Sequence, residues 1–557
     1  MSALSSLMQD DYRLTVDHIR KHLATNSGQV VSLEHLDESG LPMRFGYREV
    51  DRRLHRLAHG LRSLGIVEGE RVGTFTWNTL EHLELFVGVP AYGAVLHTVN
   101  VRLFAEQLVY VINHAQDRAI FIAPDLVPAL VSIADQLTHL RHVVVCGDLD
   151  GLDTGDLPGV TTYAALLAAA SEEDFDFPEL AETQAAALCY TSGTTGNPKG
   201  VLYSHRSIAL HASSLLGVDS FALRRGDRVL AVVPMFHVNA WGLPYASVLI
   251  DADIVLPGRD LRPPAIAGII ERYRATVMGG VPTVYSDLLA YVDANGTDLS
   301  SLRECFCGGS AVSETLMRAY EDRHGVSVIQ AWGMTETSPV CTVSRAPAGV
   351  TGEDVWRYRT TQGRAVPWVD LRLVDEFDQL VPHDGSSSGE LEVRGPWIAA
   401  AYYDDDSGEV RFHDGWLRTG DVATLTPDGF LQIVDRAKDV IKSGGEWISS
   451  VELENQLSAH PAVAAVAVIS VPDPKWEERP LACVVVRDGE TVTPEELREH
   501  LLARVARWWV PERFVFVSDI PRTGVGKFNK RALRASVATG ELAEPAVAEL
   551  VRSPSPG

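Results

Sequence analysis

Residues 1–435 read as one large α/β domain, its sheets layered with covering helices. Residues 436–540 read as a smaller α+β domain, and 541–557 as a flexible tail. Three observations predict this division. Short Val/Ile-rich runs alternate with helix-like stretches over the first 180 residues, the rhythm of parallel sheets with covering helices. A hydroxyl- and glycine-rich loop at 190–200 is flanked by two apolar runs, one ending at Cys189 and one opening with Val201 and Leu202. The charge is also divided unevenly: residues 436–557 hold 16 Lys/Arg against 17 Asp/Glu, so nearly all of the formal charge of −25 sits on residues 1–435.

The totals agree with a chain of more than one core. At 557 residues, with 46% hydrophobic and 22% charged, the composition is that of a globular protein. Its acidity argues against general affinity for nucleic acid or for an anionic membrane surface. The first residues lack a basic stretch leading into an apolar core, so no secretory signal is expected. No apolar run approaches the roughly 18 residues of a membrane span, and the longest, 86–96 and 462–471, are core segments. Six scattered cysteines (146, 189, 305, 307, 341 and 483) form no disulfide framework, which implies a reducing, cytoplasmic setting. Cys305 and Cys307 fit a buried strand better than half a zinc site.

In chain order, 71–76 and 142–146 are expected strands, 153–183 an acidic loop, and 229–233, 276–278 and 326–329 further strands. No internal repeat is present. In the second unit, Ser449-Ser-Val-Glu452 has the form of a capping box, and Thr493-Pro-Glu-Glu496 that of a capped, proline-started helix. Two Val-rich strands are expected between them. Eight cations between Arg504 and Arg534 face only Glu512 and Asp519, a basic cluster suited to anions in an acidic chain. Trp508 and Trp509 beside it are assigned to packing.

The loop at 190–200, Tyr-Thr-Ser-Gly-Thr-Thr-Gly-Asn-Pro-Lys-Gly, is chemically a phosphate cradle. Gly193, Gly196 and Gly200 let backbone amides approach an anion, Thr191, Ser192, Thr194 and Thr195 add hydroxyl donors, and Lys199 adds a positive charge. It is not the P-loop of nucleotide hydrolases, because Lys199 is followed by Gly200 rather than Ser or Thr. The run resembles the signature loop of the adenylate-forming enzymes, which include acyl-CoA synthetases, aryl-CoA ligases, luciferases and peptide-synthetase adenylation domains. That resemblance implies a grip on the terminal phosphates of ATP, a small β subdomain within the large domain, and a hinge before the small domain.

Further motifs carry the resemblance along nearly the whole chain. Gln330-Ala-Trp-Gly-Met-Thr-Glu336 is similar to the family's second core motif. By position, Gln330 and Ala331 fall in the ATP site, Trp332 lies against adenine, Thr335 reaches the α-phosphate and Glu336 holds Mg²⁺, with Thr191 the other metal-side residue. Ala331 stands where the family often has Gly. Gly309, Ser310 and Ala311 resemble the adenine-side strand end, and Asp421 the acceptor of both ribose hydroxyls. Asp435-Arg-Ala-Lys-Asp439 resembles the hinge, with Arg436 near the ribose and Lys438 the pivot. Lys442, Ser443, Gly444, Gly445, Glu446 and Trp447 resemble the segment of CoA ligases beside the CoA thiol tunnel. Lys527, in Pro521-Arg-Thr-Gly-Val-Gly-Lys527, takes the place of the catalytic lysine, bridging two anions as a carboxylate attacks the α-phosphorus. Lys530 is assigned a structural role.

For the acid, Pro234-Met-Phe-His-Val-Asn-Ala-Trp241 is most similar to bacterial medium- and long-chain fatty-acyl-CoA synthetases. The resemblance implies Trp241 as a gate, Val238 in the acyl pocket, His237 as an orienter of the carboxylate, and Gly280 and Val281 on the opposite wall. The implied reaction uses ATP, Mg²⁺ and coenzyme A on a carboxylic acid, with no nucleic-acid partner, and leaves a homodimer open. Short acids with an apolar tail such as methylthiopropionate, a carrier-loading acyl-AMP ligase, and a non-catalytic nucleotide- or acyl-binding protein are the alternatives.

Overall fold

In a computed structural model, residues 6–191, 197–405, 411–436, 439–443, 446–522 and 528–542 are described, and among them four sheets are found. One sheet runs Val160–Thr162, His142–Val145, Ala119–Ile122, Arg71–Phe75, Val95–Thr98, Ala185–Tyr190, Gly200–Ser204. Every neighbouring pair is parallel except the last, Ala185–Tyr190 with Gly200–Ser204, which is antiparallel. Strands such as Val95–Thr98 and Ala119–Ile122 are buried on both faces, which is why they read as unbroken apolar runs rather than alternating ones.

The second large sheet has a parallel centre that includes Arg228–Leu230, Val277–Gly280, Glu304–Cys307 and Ser327–Gly333, with antiparallel strands at both edges. Cys305 and Cys307 are buried within it, as the sequence suggests. The expected strand at 229–233 is shorter, Arg228–Leu230. The carbonyls of Ala231 and Val233 instead accept from the Asn78 side-chain amide at 2.6 and 2.9 Å, which pulls the chain off the ladder. The stretch 153–183, expected as loop, contains the strand Val160–Thr162 and the helix Tyr163–Ala168. The Thr162 hydroxyl caps that helix, and Leu166 packs against Gly60, where an added Cβ would lie 2.8 Å from the Leu166 side chain.

Covering helices obey the same local logic. Leu80–Tyr92 is buried from Leu80 to Ala91, including Glu81, His82 and Glu84, and is capped by Thr79 and ended by Gly93 at φ +99. A third, antiparallel sheet built on Asp370–Val374, Ser388–Arg394, Trp416–Leu425 and Leu431–Arg436 forms the small β subdomain. The smaller C-terminal α+β domain has its own apolar core on the paired strands Val463–Asp473 and Glu477–Val486, the two Val-rich strands expected. Thr493 and Glu496 form a reciprocal capping box, as the sequence implies, whereas at the other helix only half of the expected box is present: Ser449 accepts from the Glu452 N–H at 3.0 Å, and the Glu452 carboxylate instead accepts from the Gln456 amide at 2.8 Å.

Six cysteines are all unpaired, five of them buried and Cys146 half-buried. No helix among the described residues is long and apolar enough to cross a membrane.

Candidate active site

The site forms where strand ends from the two large sheets meet the β subdomain. On the adenosine side, Trp332 leaves the strand Ser327–Gly333 and its Nε1 donates to Asp421 Oδ2 at 2.9 Å. The other carboxylate oxygen pairs with Arg436 Nε at 2.6 Å, since Asp421 and Arg436 stand opposite each other in adjacent strands. Asp421 is 2% exposed. A carboxylate offers about four lone-pair directions, so the two oxygens retain capacity for a diol. Gly309, at φ +89, and Ser310 are exposed at the neighbouring strand end, with Ala311 half-buried. Gln330 is buried on the same strand as Trp332. Its amide accepts from the Val312 N–H at 2.6 Å and donates to the Thr361 carbonyl at 2.5 Å, so it braces the 308–312 loop. Ala331 is buried, and its carbonyl would lie 3.0 Å from a Cβ at Gly308.

On the phosphate side, Thr191 and Lys199 close the base of the loop. The Thr191 N–H donates to the Lys199 carbonyl at 2.9 Å, and the Lys199 N–H to the Thr191 hydroxyl at 3.1 Å. Lys199 Nζ is 3.3 Å from Asp405 Oδ2 and 4.8 Å from the centre of the Tyr402 ring. The Thr335 carbonyl accepts from the Tyr203 hydroxyl at 2.6 Å, while the buried Glu336 carboxylate accepts from the Tyr402 hydroxyl at 2.6 Å. Among the described residues no three His, Cys, Asp or Glu gather into a cage. A lone carboxylate beside a phosphate loop suits Mg²⁺, which keeps waters and phosphate oxygens as its other ligands.

A narrow cleft beside Thr191 is bordered by Thr98, Asn100, Tyr190, Thr191, Phe236 and His237. His237 is half-buried at its edge, and beyond it Val238, Asn239, Ala240, Trp241 and Gly242 all have positive φ, from +41 to +72. Such a turn of non-glycine residues costs roughly 1–2 kcal/mol per residue relative to the right-handed form. It seats Trp241, 8% exposed, between two glycines: added Cβ atoms at Gly279 and Gly308 would each lie 3.3 Å from its ring. Gly280 serves the wall from behind, with Tyr285 3.2 Å from where a Cβ would stand, and Val281 opens the helix Pro282–Asn295.

Comparison with known proteins decides the family. Residues 27–403 match the family model described as AMP-binding enzyme, and 452–527 match the AMP-binding enzyme C-terminal domain. The chain belongs to the AMP-binding enzymes. As a member, it is similar to a 3-methylmercaptopropionyl-CoA ligase of Ruegeria lacuscaerulensis, 43% identical over 94% of this chain and 97% of that protein. It is equally similar to a long-chain-fatty-acid–CoA ligase of Thermus thermophilus, 43% identical over 96% and 97%. Among solved structures, the anthranilate CoA ligase AuaEII, in complex with anthranoyl-AMP, superposes with a TM-score of 0.85 at 27% identity, covering 96% of this chain and all of that one. Like these relatives, this AMP-binding enzyme is an acid–thiol ligase.

The remaining expected residues of this AMP-binding enzyme divide into three groups. Ser192, Gly193, Thr194, Thr195, Gly196, Lys438, Gly444, Gly445 and Lys527 lie outside the described residues, and only the backbone of Glu446 and Trp447 is described, in the strand Glu446–Ile448. Lys442 is exposed, whereas the buried Ser443 hydroxyl accepts from Arg479 at 3.2 Å. Lys530 is built into the small domain, its Nζ 2.7 Å from Glu454 and 2.6 Å from the Ser450 hydroxyl. Burial works against its charge, but the Glu454 and Asp435 carboxylates more than restore it and hold Lys530 above the ordinary lysine value. Asp435 also accepts from the Ser450 N–H at 2.6 Å. Burial raises the Asp287 carboxyl on the helix Pro282–Asn295, and the charge of Arg522, in the segment leading to Lys527, partly offsets it.

Tyr402, Asp405 and Tyr203 were not foreseen from the sequence. The signal available was Ala401-Tyr-Tyr-Asp-Asp-Asp406, an aromatic pair leading into an acidic run, which composition alone assigns to a solvated surface.

Proposed function

We propose that this enzyme activates a medium- or long-chain fatty acid through an acyl-adenylate and then passes the acyl group to coenzyme A. Trp332 lies against adenine, Asp421 accepts the ribose hydroxyls beside Arg436, and Thr335 reaches the α-phosphate. Lys199 and the 192–196 loop grip the terminal phosphates. Glu336 holds Mg²⁺, which neutralises phosphate charge. His237 orients the carboxylate, one of whose oxygens attacks the α-phosphorus as the bond to pyrophosphate breaks, with Lys527 bridging the two anions. The small domain, residues 436–540, then turns about Lys438, and the thiol, led along Lys442 to Trp447, attacks the acyl carbonyl and releases AMP. Residues 1–435 form the large domain, and the six unpaired cysteines favour a cytoplasmic enzyme.

The choice of a long acid rests on the turn at 238–242. Four successive non-glycine residues in the left-handed region hold Trp241 in its seat at a cost of order 4–8 kcal/mol in backbone strain. A seat so strained is readily given up when an acyl tail supplies compensating burial at about 0.8 kcal/mol per CH₂. A second reading, 3-methylmercaptopropionate, is favoured by the Ruegeria relative. Assays over straight-chain acids from C2 to C18 and 3-methylmercaptopropionate, following AMP and acyl-CoA separately, decide between them. A peak in kcat/KM at medium or long chains supports the first reading, and a peak at the thioether acid replaces it with the second. AMP without acyl-CoA would move the enzyme to the carrier-loading class.

A further inference from the structure

The segment 402–405 contacts, one after another, the groups that the reading above assigns to the triphosphate and its metal. The Tyr403 N–H donates to the Gly200 carbonyl at 2.8 Å, docking the segment on the strand that closes the phosphate loop. The approach is close: a Cβ at Gly200 would lie 3.1 Å from Leu188, 3.2 Å from Tyr403 and 3.3 Å from Tyr190. His114 fastens the segment from the other side, with Nδ1 2.7 Å from the Tyr190 hydroxyl and Nε2 3.2 Å from the Asp404 carbonyl. Thus anchored, Tyr402 holds Glu336 through its hydroxyl at 2.6 Å and lies against the Lys199 ammonium through its ring. Asp405 places a carboxylate oxygen 3.3 Å from the same ammonium. Both partners are only about one-fifth exposed, so water screens the pair less than it would a fully solvated one.

We propose that Asp405 is a resident anion for Lys199, competing with the terminal phosphates of ATP and with pyrophosphate and so setting the affinity for both. The proposal rests on the reading of Lys199 as a phosphate ligand. Nucleotide entry exchanges one anion for another at Lys199, and the displaced carboxylate, anchored beside the site, repels the phosphates that replaced it. After adenylation the carboxylate stands ready to retake the ammonium, which favours departure of pyrophosphate. An ion pair of this exposure alters the apparent affinity of a competing ligand by about fivefold.

The test is direct binding of Mg·ATP and of pyrophosphate, by calorimetry, to the full chain and to Asp405→Asn, Asp405→Glu, Lys199→Ala and the Asp405→Asn/Lys199→Ala double variant. Asp405 as a whole residue is exposed although its side chain is about one-fifth so, and Asn keeps its shape. Asp405→Asn is expected to bind both ligands about fivefold more tightly, with pyrophosphate inhibition strengthened by the same factor. Asp405→Glu, which keeps the charge, stays within twofold of the parent. The gain disappears in the Lys199→Ala background. A purely structural role for Asp405 would weaken binding instead. If Lys199→Ala weakens ATP while Asp405→Asn leaves binding unchanged or weaker, the inference is overturned and the reading of Lys199 stands. If Lys199→Ala leaves ATP binding intact, that reading fails first.

Discussion

His211 gives the fold a measurable sensitivity to acid. It lies on the helix His205–Ser214, 2% exposed, where Nε2 accepts the Val340 N–H at 3.1 Å and the ring meets Trp397 edge-on with centroids 5.8 Å apart. Burial drives its pKa down to about 3. An unfolded histidine titrates near 6.5, so above that pH neither state carries the proton and no penalty exists. As pH falls below 6.5 the unfolded chain takes up a proton that the folded chain refuses, and stability declines until the folded value is reached. Between pH 7 and pH 5 the loss assignable to this one ring is about 2 kcal/mol. His211→Asn keeps an acceptor for Val340 and removes the titration. Urea unfolding of both proteins at pH 7 and pH 5 isolates the effect, because carboxyls that burial holds high, such as Glu84 and Glu454, pull the other way equally in both. The parent should lose about 2 kcal/mol more than His211→Asn over this interval. Equal losses would refute a buried neutral histidine at this position.

Asp421→Asn removes the charge 2.6 Å from Arg436 while leaving an acceptor for Trp332; KM for ATP should rise roughly tenfold with KM for the acid little changed, and an unchanged ATP profile would reject the ribose assignment. Lys530→Met leaves Glu454 buried without its cation and should cost about 3–5 kcal/mol of small-domain stability, which a second change, Glu454→Met, restores in large part as read by thermal unfolding. Lys527→Ala should abolish acid-dependent pyrophosphate exchange yet retain thioester formation from supplied acyl-adenylate; retention of exchange would remove Lys527 from the adenylation step.

The fold was legible wherever sequence and packing agree locally. Unbroken apolar runs such as His142–Val145 became strands buried on both faces, and the capping residues Ser449 and Thr493 opened helices where their spacing required. Legibility failed where one side chain overrode the pattern. Asn78 shortened the strand at 228–230 through contacts more than 150 residues away in sequence, which no local window contains. In the site, Trp332, Asp421 and Arg436 were each named from motifs, but their direct bonding depends on the register between Trp416–Leu425 and Leu431–Arg436. For Gln330, named from the same motif as Trp332, the sequence does not disclose that its buried amide bonds to the main chain of Val312 and Thr361. Asp405 was invisible because its significance comes from where Gly200 lets Tyr403 dock, not from its neighbours in the chain.

The six unpaired cysteines bear on chemical selectivity. An acid–thiol ligase makes an electrophile whose intended acceptor is sulfur, and thiolate is the reactive form. Burial raises every one of its own thiols, Cys305 and Cys341 to about 12 and Cys483 to about 11, with Cys146, Cys189 and Cys307 also pushed up. At neutral pH these sulfurs stay protonated, five of them buried and Cys146 half-buried, which disfavours capture of an activated acyl group by the enzyme that made it. By the same seclusion, a single exposed cysteine introduced on the small domain gives a maleimide site against a low background, with which the proposed rotation can be tested.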